Sequence, residues 1–460
     1  MINRRVKIIL LICLGILIAV GVFLLRSSKG MSRPSIEINQ TEDGLVFGAS
    51  AIGGTFSICE YGLFFLDDGK MQYYDFKAKN AYILCDKANC RHSDEACGAW
   101  YDNSSVRNAV GLALYLGKVY IVKLNQQLNS YEILSMEPSG TGQKVIYSLN
   151  IGDATKGSWI VSDIANVYYA GGMAWMSVNY VYINDVDEAD FFTTQCIIGI
   201  NLSTGDVVKL GEPSKEDINY EIEFITPEYL VYIRKWNRVA RLSHENFNSA
   251  VIGGEFPDFK DSIDPYYEYW LWYEEHKGLS YEYNIYEVSS GEISEFDNGE
   301  YSRNYNEEGS FVGVLPKYYF SGLVGSQLVY GIPDYENENV MMYTFDIETG
   351  DTKEIIHIKN GGTLGVAGAG NISVGVTRDH KIVCCEYTEN ETAQIFYYDL
   401  ASGERKDLFM DDRRITFRMI GETSDMYIGK IESDFGSNVY SISKDAYERG
   451  DLKAAIRLNF

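Results

Sequence analysis

Short runs of alternating or aromatic-rich residues, each followed by a polar turn and a second such run, recur along residues 34–460. A period of two is typical of β-strands, and no long 3.6-residue helical pattern interrupts it. The clear hairpins span residues 71–84, 197–210, 284–296, 342–356 and 395–409, and weaker ones span residues 130–149, 239–252 and 438–458. The pattern therefore predicts an all-β chain with seven or eight hairpins.

Four of these hairpins share a turn in which Asp, Asn or Glu is followed by two intervening residues, then Thr or Ser, then Gly. The turns occupy residues 201–205, 287–291, 346–350 and 399–403. Glycine adopts positive φ without steric cost, and an acidic or amide side chain can bind the turn backbone. The shared spacing predicts hairpin geometry, so these glycines are expected to be structural.

A further strand-like run precedes each hairpin, and the resulting repeat averages roughly fifty residues. Self-similarity at this period in an all-β chain is typical of propellers. The predicted fold is a β-propeller of seven or eight four-stranded blades, in which the 36 tyrosines and 21 phenylalanines fill the space between twisted sheets. Residues 184–190, 255–272 and 334–339 are predicted to be solvated connections between strands.

An unbroken apolar segment, residues 8–25, follows three basic residues near the N-terminus. At about 1.5 Å per residue its eighteen residues reach roughly 27 Å, near the thickness of the hydrocarbon core. We expect residues 1–7 to be a cytoplasmic tail, residues 8–25 a transmembrane signal anchor, residues 26–43 a linker, and residues 44–460 an extracytoplasmic propeller. A cleaved signal peptide is the alternative. The expected location is the cell membrane, with a single pass.

Beyond residue 33 the chain carries 34 basic and 65 acidic side chains. Such a surface repels phosphate backbones, so nucleic acid is excluded as an expected partner. The glycine-rich residues 361–375 lead into a strand pattern with no helix behind it, and they therefore predict no nucleotide site. The acidity is interpreted as the solubility of an exported domain.

One segment, residues 85–100, combines Cys85, Cys90, His92 and Cys97. Three thiolates and one imidazole complete a tetrahedral zinc shell, and such a shell is structural because no position remains for water. Cys90 and His92 can both reach one ion only if the intervening Arg91 turns outward. The four residues are the candidate metal ligands of the chain.

Disulfides compete with a metal at this segment, because exported thiols meet oxidising conditions. The exported part has seven cysteines, an odd number, so at least one stays outside any intramolecular disulfide. Three alternatives stay open: a disulfide-stapled loop, a structural zinc site, and reduced inert thiols. Under the first two, cross-links hold an insert that has no core of its own.

The hairpin phrase FDIETGDTKEI resembles the repeat of quinoprotein-like propellers, whose turn continues to a docking tryptophan. That position holds Lys209, Glu295, Glu354 and Asp407 here, so the tryptophan girdle is missing. The adjacent Cys384-Cys385 lies in the strand-like run KIVCCEY, where neighbouring side chains point to opposite faces. Two reduced or separately packed cysteines are expected there, in place of a vicinal disulfide.

A second resemblance covers the whole chain. The chain is similar to uncharacterised, membrane-anchored bacterial propeller proteins that carry an insert with the order Cys, Cys, His, Cys after the first hairpin. This resemblance implies the anchor, the propeller and the insert at Cys85, Cys90, His92 and Cys97. It implies no activity.

No catalytic motif identifies a reaction, since G-x-S-x-G, H-E-x-x-H and GxxxxGK[ST] are absent. The remaining histidines, His244, His276, His357 and His380, fall in different predicted repeats. We therefore expect a binding or scaffold module for a peptide, glycan or envelope partner, with structural zinc as the one cofactor considered. The alternative hypothesis is an extracellular polysaccharide hydrolase or lyase that uses carboxylates near the propeller channel.

Overall fold

Seven antiparallel sheets, each built from four consecutive strands, form the blades of a β-propeller in this computed structural model. The structure describes residues 46–48 and 56–458, except residues 68, 86, 88–89, 94–96, 102–109, 184–190, 257–258, 260–262, 306–310, 316, 338, 360, 364–375, 388–391, 413–416 and 432–437. Within each blade every strand pairs with the strand before it in the chain. The all-β propeller predicted from the sequence is confirmed, and it has seven blades.

The first three blades follow a short strand, β1, at Val46–Gly48. Strands β2 to β5 of blade 1 span Phe56–Cys59, Gly62–Asp67, Lys70–Asp75 and Asn80–Ile83. Strands β6 to β9 of blade 2 span Val110–Tyr115, Lys118–Asn125, Ser130–Met136 and Lys144–Asn150. Strands β10 to β13 of blade 3 span Trp159–Ala170, Met173–Ile183, Phe191–Asn201 and Val207–Leu210.

The last four blades repeat the same order. Strands β14 to β17 of blade 4 span Asn219–Ile225, Tyr229–Asn237, Leu279–Glu287 and Ile293–Glu300, and a separate hairpin has β18 at Ser302–Tyr305 and β19 at Phe311–Leu315. Strands β20 to β23 of blade 5 span Tyr319–Val324, Gln327–Asp334, Asn339–Asp346 and Thr352–Ile358. Strands β24 to β27 of blade 6 span Gly361–Thr363, Lys381–Tyr387, Thr392–Asp399 and Arg405–Asp412. Strands β28 to β31 of blade 7 span Phe417–Glu422, Met426–Ile431, Tyr440–Ser443 and Ile456–Arg457.

The hairpin turns have the geometry that their shared spacing predicts. Between β22 and β23, Asp346 Oδ1 accepts hydrogen bonds from the backbone N–H groups of Glu348 at 2.9 Å and Thr349 at 3.1 Å. Gly350 follows with a φ of 76°. The corresponding turns of blades 3 and 6 repeat these contacts. The turn glycines are therefore structural.

The eighth predicted hairpin is wrong, because residues 239–252 contain helix α1, His244–Ile252. Ser243 caps the helix, and its hydroxyl accepts a hydrogen bond from the first turn at 3.2 Å. Two apolar residues of the segment, Phe247 and Val251, lie four apart and pack together on one side of the helix. In so short a segment this helical spacing cannot be told from strand alternation.

The prediction of a solvated connection at residues 255–272 is also wrong in part. Helix α2 spans Pro265–His276, with Asp264 as its N-cap. Tyr269 and Tyr273, one turn apart, are buried against α1. The run of aromatic residues did not predict a helix, because such residues are more common in strands. The Asp-Pro pair before it is a recognised helix start.

Other connections contain short elements. Asp334 and Asn339 pair at the ends of β21 and β22, and residues 334–337 are exposed, so the solvated connection predicted at residues 334–339 is a tight hairpin turn. The predicted loop at residues 184–190 lies outside the described residues. Between β30 and β31 the chain forms helix α3, Lys444–Glu448, and a 3₁₀ turn, Leu452–Ala454.

Neighbouring blades pack through apolar and aromatic side chains, as predicted. Between blades 3 and 4, the rings of Trp175 and Tyr286 meet edge to face with centroids 5.6 Å apart. Between blades 2 and 3, Gly111 has a φ of 66°, and an added Cβ there would lie 2.5 Å from Val167 Cβ. The Tyr169 hydroxyl donates to the Gly111 carbonyl at 2.8 Å across the same interface. The aromatic residues of the sequence therefore serve mainly as packing between sheets.

The described strands of blades 1 and 7 form separate sheets, and the contacts that close the ring are made by side chains. Glu60, in the β2–β3 turn, accepts hydrogen bonds from the Ser424 backbone N–H at 3.0 and 3.1 Å and from the Ser424 hydroxyl. It also pairs with Arg378 of blade 6 at 3.0 Å. An apolar cluster that includes Leu63 and Ile428 joins blades 7 and 1 beside it.

Strand β1 adds a fifth strand to blade 3. It pairs antiparallel with β10, the first strand of that blade, whose other neighbour is β11. The first strands of propeller blades border the central axis, so β1 occupies an axial edge. It also lies beside β2 and β6. Residues 46–48, which precede blade 1 in the chain, therefore lie at the axis.

The apolar segment at residues 8–25 lies outside the described residues. Among the helices of the described part of the chain, none combines the length and the hydropathy required of a membrane span.

Candidate functional site

The cysteine cluster lies in the connection that follows β5 in blade 1. Both ends of this connection are tied to Met71 of β4. The Leu84 N–H donates to the Met71 carbonyl at 3.0 Å, and the Met71 N–H donates to the Ala99 carbonyl at 2.9 Å. The two ends of the segment are therefore held together beside the sheet.

The structure brings together all four ligands predicted from the sequence. The donor atoms of Cys85, Cys90, His92 and Cys97 lie within 4.8 Å of one another. His92 Nδ1 is 3.3 Å from Cys97 Sγ. Cys85 and Cys97 are buried, whereas Cys90 and His92 are partly exposed. No other group of His, Cys, Asp and Glu able to hold a metal occurs within the described residues.

Backbone geometry at His92 allows this convergence. His92 has a φ of 52°, in the left-handed region that few residues other than glycine adopt. The side chain of Arg91 is exposed to solvent. The outward turn at Arg91 that the spacing requires is therefore present, and it leaves Cys90 and His92 facing the same point.

The Cys97 thiol of the cluster favours its protonated form while no cation is bound. Burial, the largest cause, and the neighbouring thiols Cys85 and Cys90 together raise the pKa of Cys97 to about 12, although a hydrogen bond from the Ala99 backbone lowers it. Three thiolates so close together would repel one another, and a bound cation removes this repulsion. None of the seven cysteines in the described part of the chain is joined in a disulfide.

A buried tyrosine, Tyr101, lies near the cluster. The Tyr101 hydroxyl is inaccessible to solvent and has no hydrogen-bond partner among the described residues. Burial raises the pKa of Tyr101, and the charge of Cys97 raises it further. No hydrogen bond joins this hydroxyl to Cys97, so donation to a metal-bound thiolate, the usual role of an outer-shell residue, would need the ring or the thiolate to move.

The other cysteines and histidines of the described part of the chain lie outside the cluster. Cys384 packs in the core between blades 5 and 6, and Cys385 packs in the core between blades 6 and 7. The two residues therefore face opposite sides of β25, as expected from strand geometry. The other histidines lie on separate elements, namely His244 on α1, His276 on α2, His357 on β23 and His380 ahead of β25.

A second candidate site, which the sequence interpretation missed, lies on α2. The helix is anchored on one side, where the Tyr273 hydroxyl donates to the Val239 carbonyl at 3.1 Å and accepts a hydrogen bond from Asn237 at 3.0 Å. On the opposite side Tyr267, Trp270 and Leu271 are exposed by 54%, 39% and 43%. The spacing of these three residues is a helical signal that could have been found in the sequence.

A third feature is an unusual carboxyl group on β14, the axial strand of blade 4. Glu223 lies at a β-bulge between Ile222 and Phe224. Its pKa is raised to about 7, chiefly by burial and to a smaller extent by the neighbouring Glu221, while Lys235 acts to lower it. A carboxyl group that keeps its proton close to neutral pH can serve as a general acid.

Comparisons with known proteins give only remote likenesses. No family model matches the chain, and no curated protein matches it. Among solved structures, oligogalacturonate lyase from Vibrio parahaemolyticus is 10% identical, with a TM-score of 0.36, and the match covers 74% of each chain. Dipeptidyl peptidase 4 of Porphyromonas gingivalis is 10% identical, with a TM-score of 0.42, and the match covers 90% of this chain and 54% of that one. The β-propeller domain of the Trilobed protease from Pyrococcus furiosus is 10% identical, with a TM-score of 0.40, and the match covers 87% of this chain and 94% of that one. Matches this remote carry no information about activity.

Proposed function

We propose that this chain is a membrane-tethered propeller displayed outside the cytoplasm, where it acts as a binding or scaffold module for a peptide, glycan or envelope partner. The observation that carries the proposal is the complete donor set at Cys85, Cys90, His92 and Cys97. Four protein ligands leave zinc no open position, so the main chemical cluster of the chain is a clamp and not a reaction centre. A rigid ring with loops on every blade suits recognition.

The proposed metal is a structural zinc ion. With bonds of about 2.3 Å, tetrahedral zinc places its sulfur ligands about 3.8 Å apart, which agrees with donor atoms that all lie within 4.8 Å. The partly exposed Cys90 and His92 would give the ion a path of entry. The buried Tyr101 hydroxyl, which has no hydrogen-bond partner among the described residues, would serve as an outer-shell donor once Cys97 is an anionic metal ligand.

Metal analysis of the purified full-length chain tests the clamp. We expect about one zinc per chain, lost in Cys97→Ser and in His92→Ala and retained in the control Cys196→Ser, which alters a buried thiol outside the cluster. Tyr101→Phe should keep the zinc but lower its affinity roughly tenfold. A chain without zinc, in which two of the cluster thiols resist alkylation until reduced, would show a disulfide clamp and overturn the zinc proposal.

The tether is tested separately by topology. The apolar residues 8–25 and the basic residues around them support an anchor with a cytoplasmic N-terminus. Protease added to intact cells, or to spheroplasts where an outer membrane is present, should then degrade the propeller while a cytoplasmic control protein survives. Protection of the propeller until the membrane is lysed would contradict the proposed location.

A second candidate function is favoured by Glu223. A carboxyl group with a pKa of about 7 on an axial strand fits the general acid of a polysaccharide hydrolase or lyase. Glu221, its neighbour on β14, is engaged with Lys235 at 2.6 Å. The position of β1 at the axial edge of blade 3 weighs against this candidate, since it occupies part of the space that a polysaccharide would need.

A further inference from the structure

We propose that the exposed face of α2 is a docking surface for a basic, amphipathic segment of a protein partner. The surface comprises Ile263, Tyr267, Trp270 and Leu271 with the carboxylates Glu268 and Glu275, and we call it the α2 face. The inference rests on the proposed role of the propeller as a binding module. It adds the place of binding and the chemistry of the partner.

The α2 face is not needed to complete the propeller. Helices α1 and α2 are inserted between β15 and β16, which pair with each other along their whole length without them. The buried side of the insert forms its own small core around Phe247, Tyr269 and Tyr273. The apolar residues on the other side therefore contribute nothing to that core, and their exposure calls for another explanation.

The apolar residues form one continuous stripe. Ile263 is fully exposed just before the helix, and the next members follow at intervals of four, three and one residues. The rings of Tyr267 and Trp270 are nearly parallel, at 17°, with centroids 6.3 Å apart. Aromatic residues of this kind supply most of the binding energy in protein interfaces, because they bury a large area with little loss of side-chain entropy.

The acidic side chains around the stripe favour a partner that carries positive charge. Glu268 and Glu275 lie one turn before and one turn after Leu271, and neither forms an ion pair within the described residues. Glu274 lies one turn after Trp270, where it pairs with Lys277 at 2.8 Å. From residue 239 to residue 278 there are eight acidic and three basic side chains. A partner that buries the stripe must therefore bring lysine or arginine to its rim.

The same charge argues against other occupants. Anionic lipid head groups and acidic polysaccharides would be repelled by these carboxylates. A second copy of this chain would place identical acidic surfaces in contact, which costs free energy across a symmetric interface. A segment with apolar side chains flanked by Lys or Arg can cover the apolar stripe and pair with the carboxylates beside it. Its cations can also lie over the exposed aromatic rings.

Binding of model peptides to the full-length chain tests the inference. The probe is a synthetic fourteen-residue helical peptide with leucine on one face and lysine on the other, and its counterparts carry glutamate or glutamine in place of lysine. We expect the lysine peptide to bind, the glutamine peptide to bind about tenfold more weakly, and the glutamate peptide not to bind. Fluorescence anisotropy at two salt concentrations measures these affinities.

Two pairs of variants locate the binding. The double variant Trp270→Ser with Leu271→Ser should lower the affinity for the lysine peptide at least about tenfold. The control Leu128→Ser, at an exposed leucine in the β7–β8 turn, should leave this affinity unchanged. The double variant Glu268→Lys with Glu275→Lys should bind the lysine peptide more weakly and should bind the glutamate peptide. The exposed control Glu336→Lys should change neither affinity. Circular dichroism of each variant confirms that the insert stays folded.

The possible results separate the inference from the function on which it rests. Binding that depends on Trp270 and Leu271 but not on Glu268 and Glu275 would refute the basic partner and leave the binding module standing. If a neutral oligosaccharide binds to the stripe and no peptide does, the basic partner is likewise refuted and the binding module stands. Lysine-peptide binding that is unchanged in every α2-face variant would overturn the docking surface itself.

Discussion

At the scale of single residues, the environment of a side chain matters as much as its chemical type. His92 can join Cys90 at one point only because its backbone adopts positive φ. Glycine is the residue that marks such backbone positions in a sequence, and a single histidine, although it tolerates them better than most side chains, does not identify one. The donor types and their spacing could therefore be predicted, whereas the conformation that makes them converge is a property of the folded loop.

The pKa of Glu223 gives a prediction about stability and pH. Burial raises this pKa to about 7, above the ordinary value of 4.5, so the folded state holds the proton more tightly than the unfolded state. The stabilising contribution is complete below pH 4.5 and is lost as the pH rises to about 7. Glu223→Gln removes the titration and should be more stable than the wild type by roughly 1–3 kcal/mol at pH 8, with little difference near pH 4.5.

Urea unfolding of the full-length chain at several pH values measures this difference, and the exposed Glu228→Gln serves as the matched control. A variant that gains equal stability at every pH would contradict the raised pKa. The same variant tests the second candidate function, because a hydrolase or lyase with Glu223 as its general acid should lose at least about a hundredfold in rate.

At the scale of elements, the hairpin turn was the most predictable feature of the chain. Its conformation depends on residues adjacent in sequence, namely an acceptor side chain and a glycine, so local pattern and local structure agree. Helix α2 was the least predictable. Its Asp-Pro start was visible, but the choice between helix and strand for an aromatic run depended on packing against α1.

The turn between β22 and β23 gives a prediction at this scale. Gly350 has a φ of 76°, and open space surrounds the position that a Cβ would occupy. Gly350→Ala should therefore destabilise the chain by about 1 kcal/mol through backbone strain alone, and Gly350→Asn should cost less because asparagine tolerates this region. Thermal unfolding measures both. Equal losses for Ala and Asn would show that strain is not the cause.

At the scale of the whole molecule, closure of the ring depends on side chains from three blades. Burial alone would raise the pKa of Glu60, but hydrogen bonds from Ser424 and the ion pair with Arg378 hold it below its usual range. A depressed pKa means that Glu60 stabilises the folded state above its ordinary pKa, and that this contribution is lost as the pH falls through the depressed value.

We therefore expect Glu60→Ala to destabilise the chain by roughly 1–3 kcal/mol at pH 7 and by less as the medium becomes acidic. The exposed Glu216→Ala is the control. Hydrogen exchange should show the largest loss of protection in blades 1 and 7, where the ring closes. A loss spread evenly over all seven blades would show that Glu60 has no special part in closure.

The sequence by itself determined the propeller, because a repeat of four short strands with local turns can bury its two apolar faces only against copies of itself. It also determined the donor set of the candidate zinc site. Only the tertiary structure decided that the blades number seven, because residues 239–252 form a helix that packs on α2 and not an eighth hairpin. Only the tertiary structure placed β1 beside β10 and closed the ring at Glu60, because these contacts join residues far apart in the chain, and no local pattern specifies such partners.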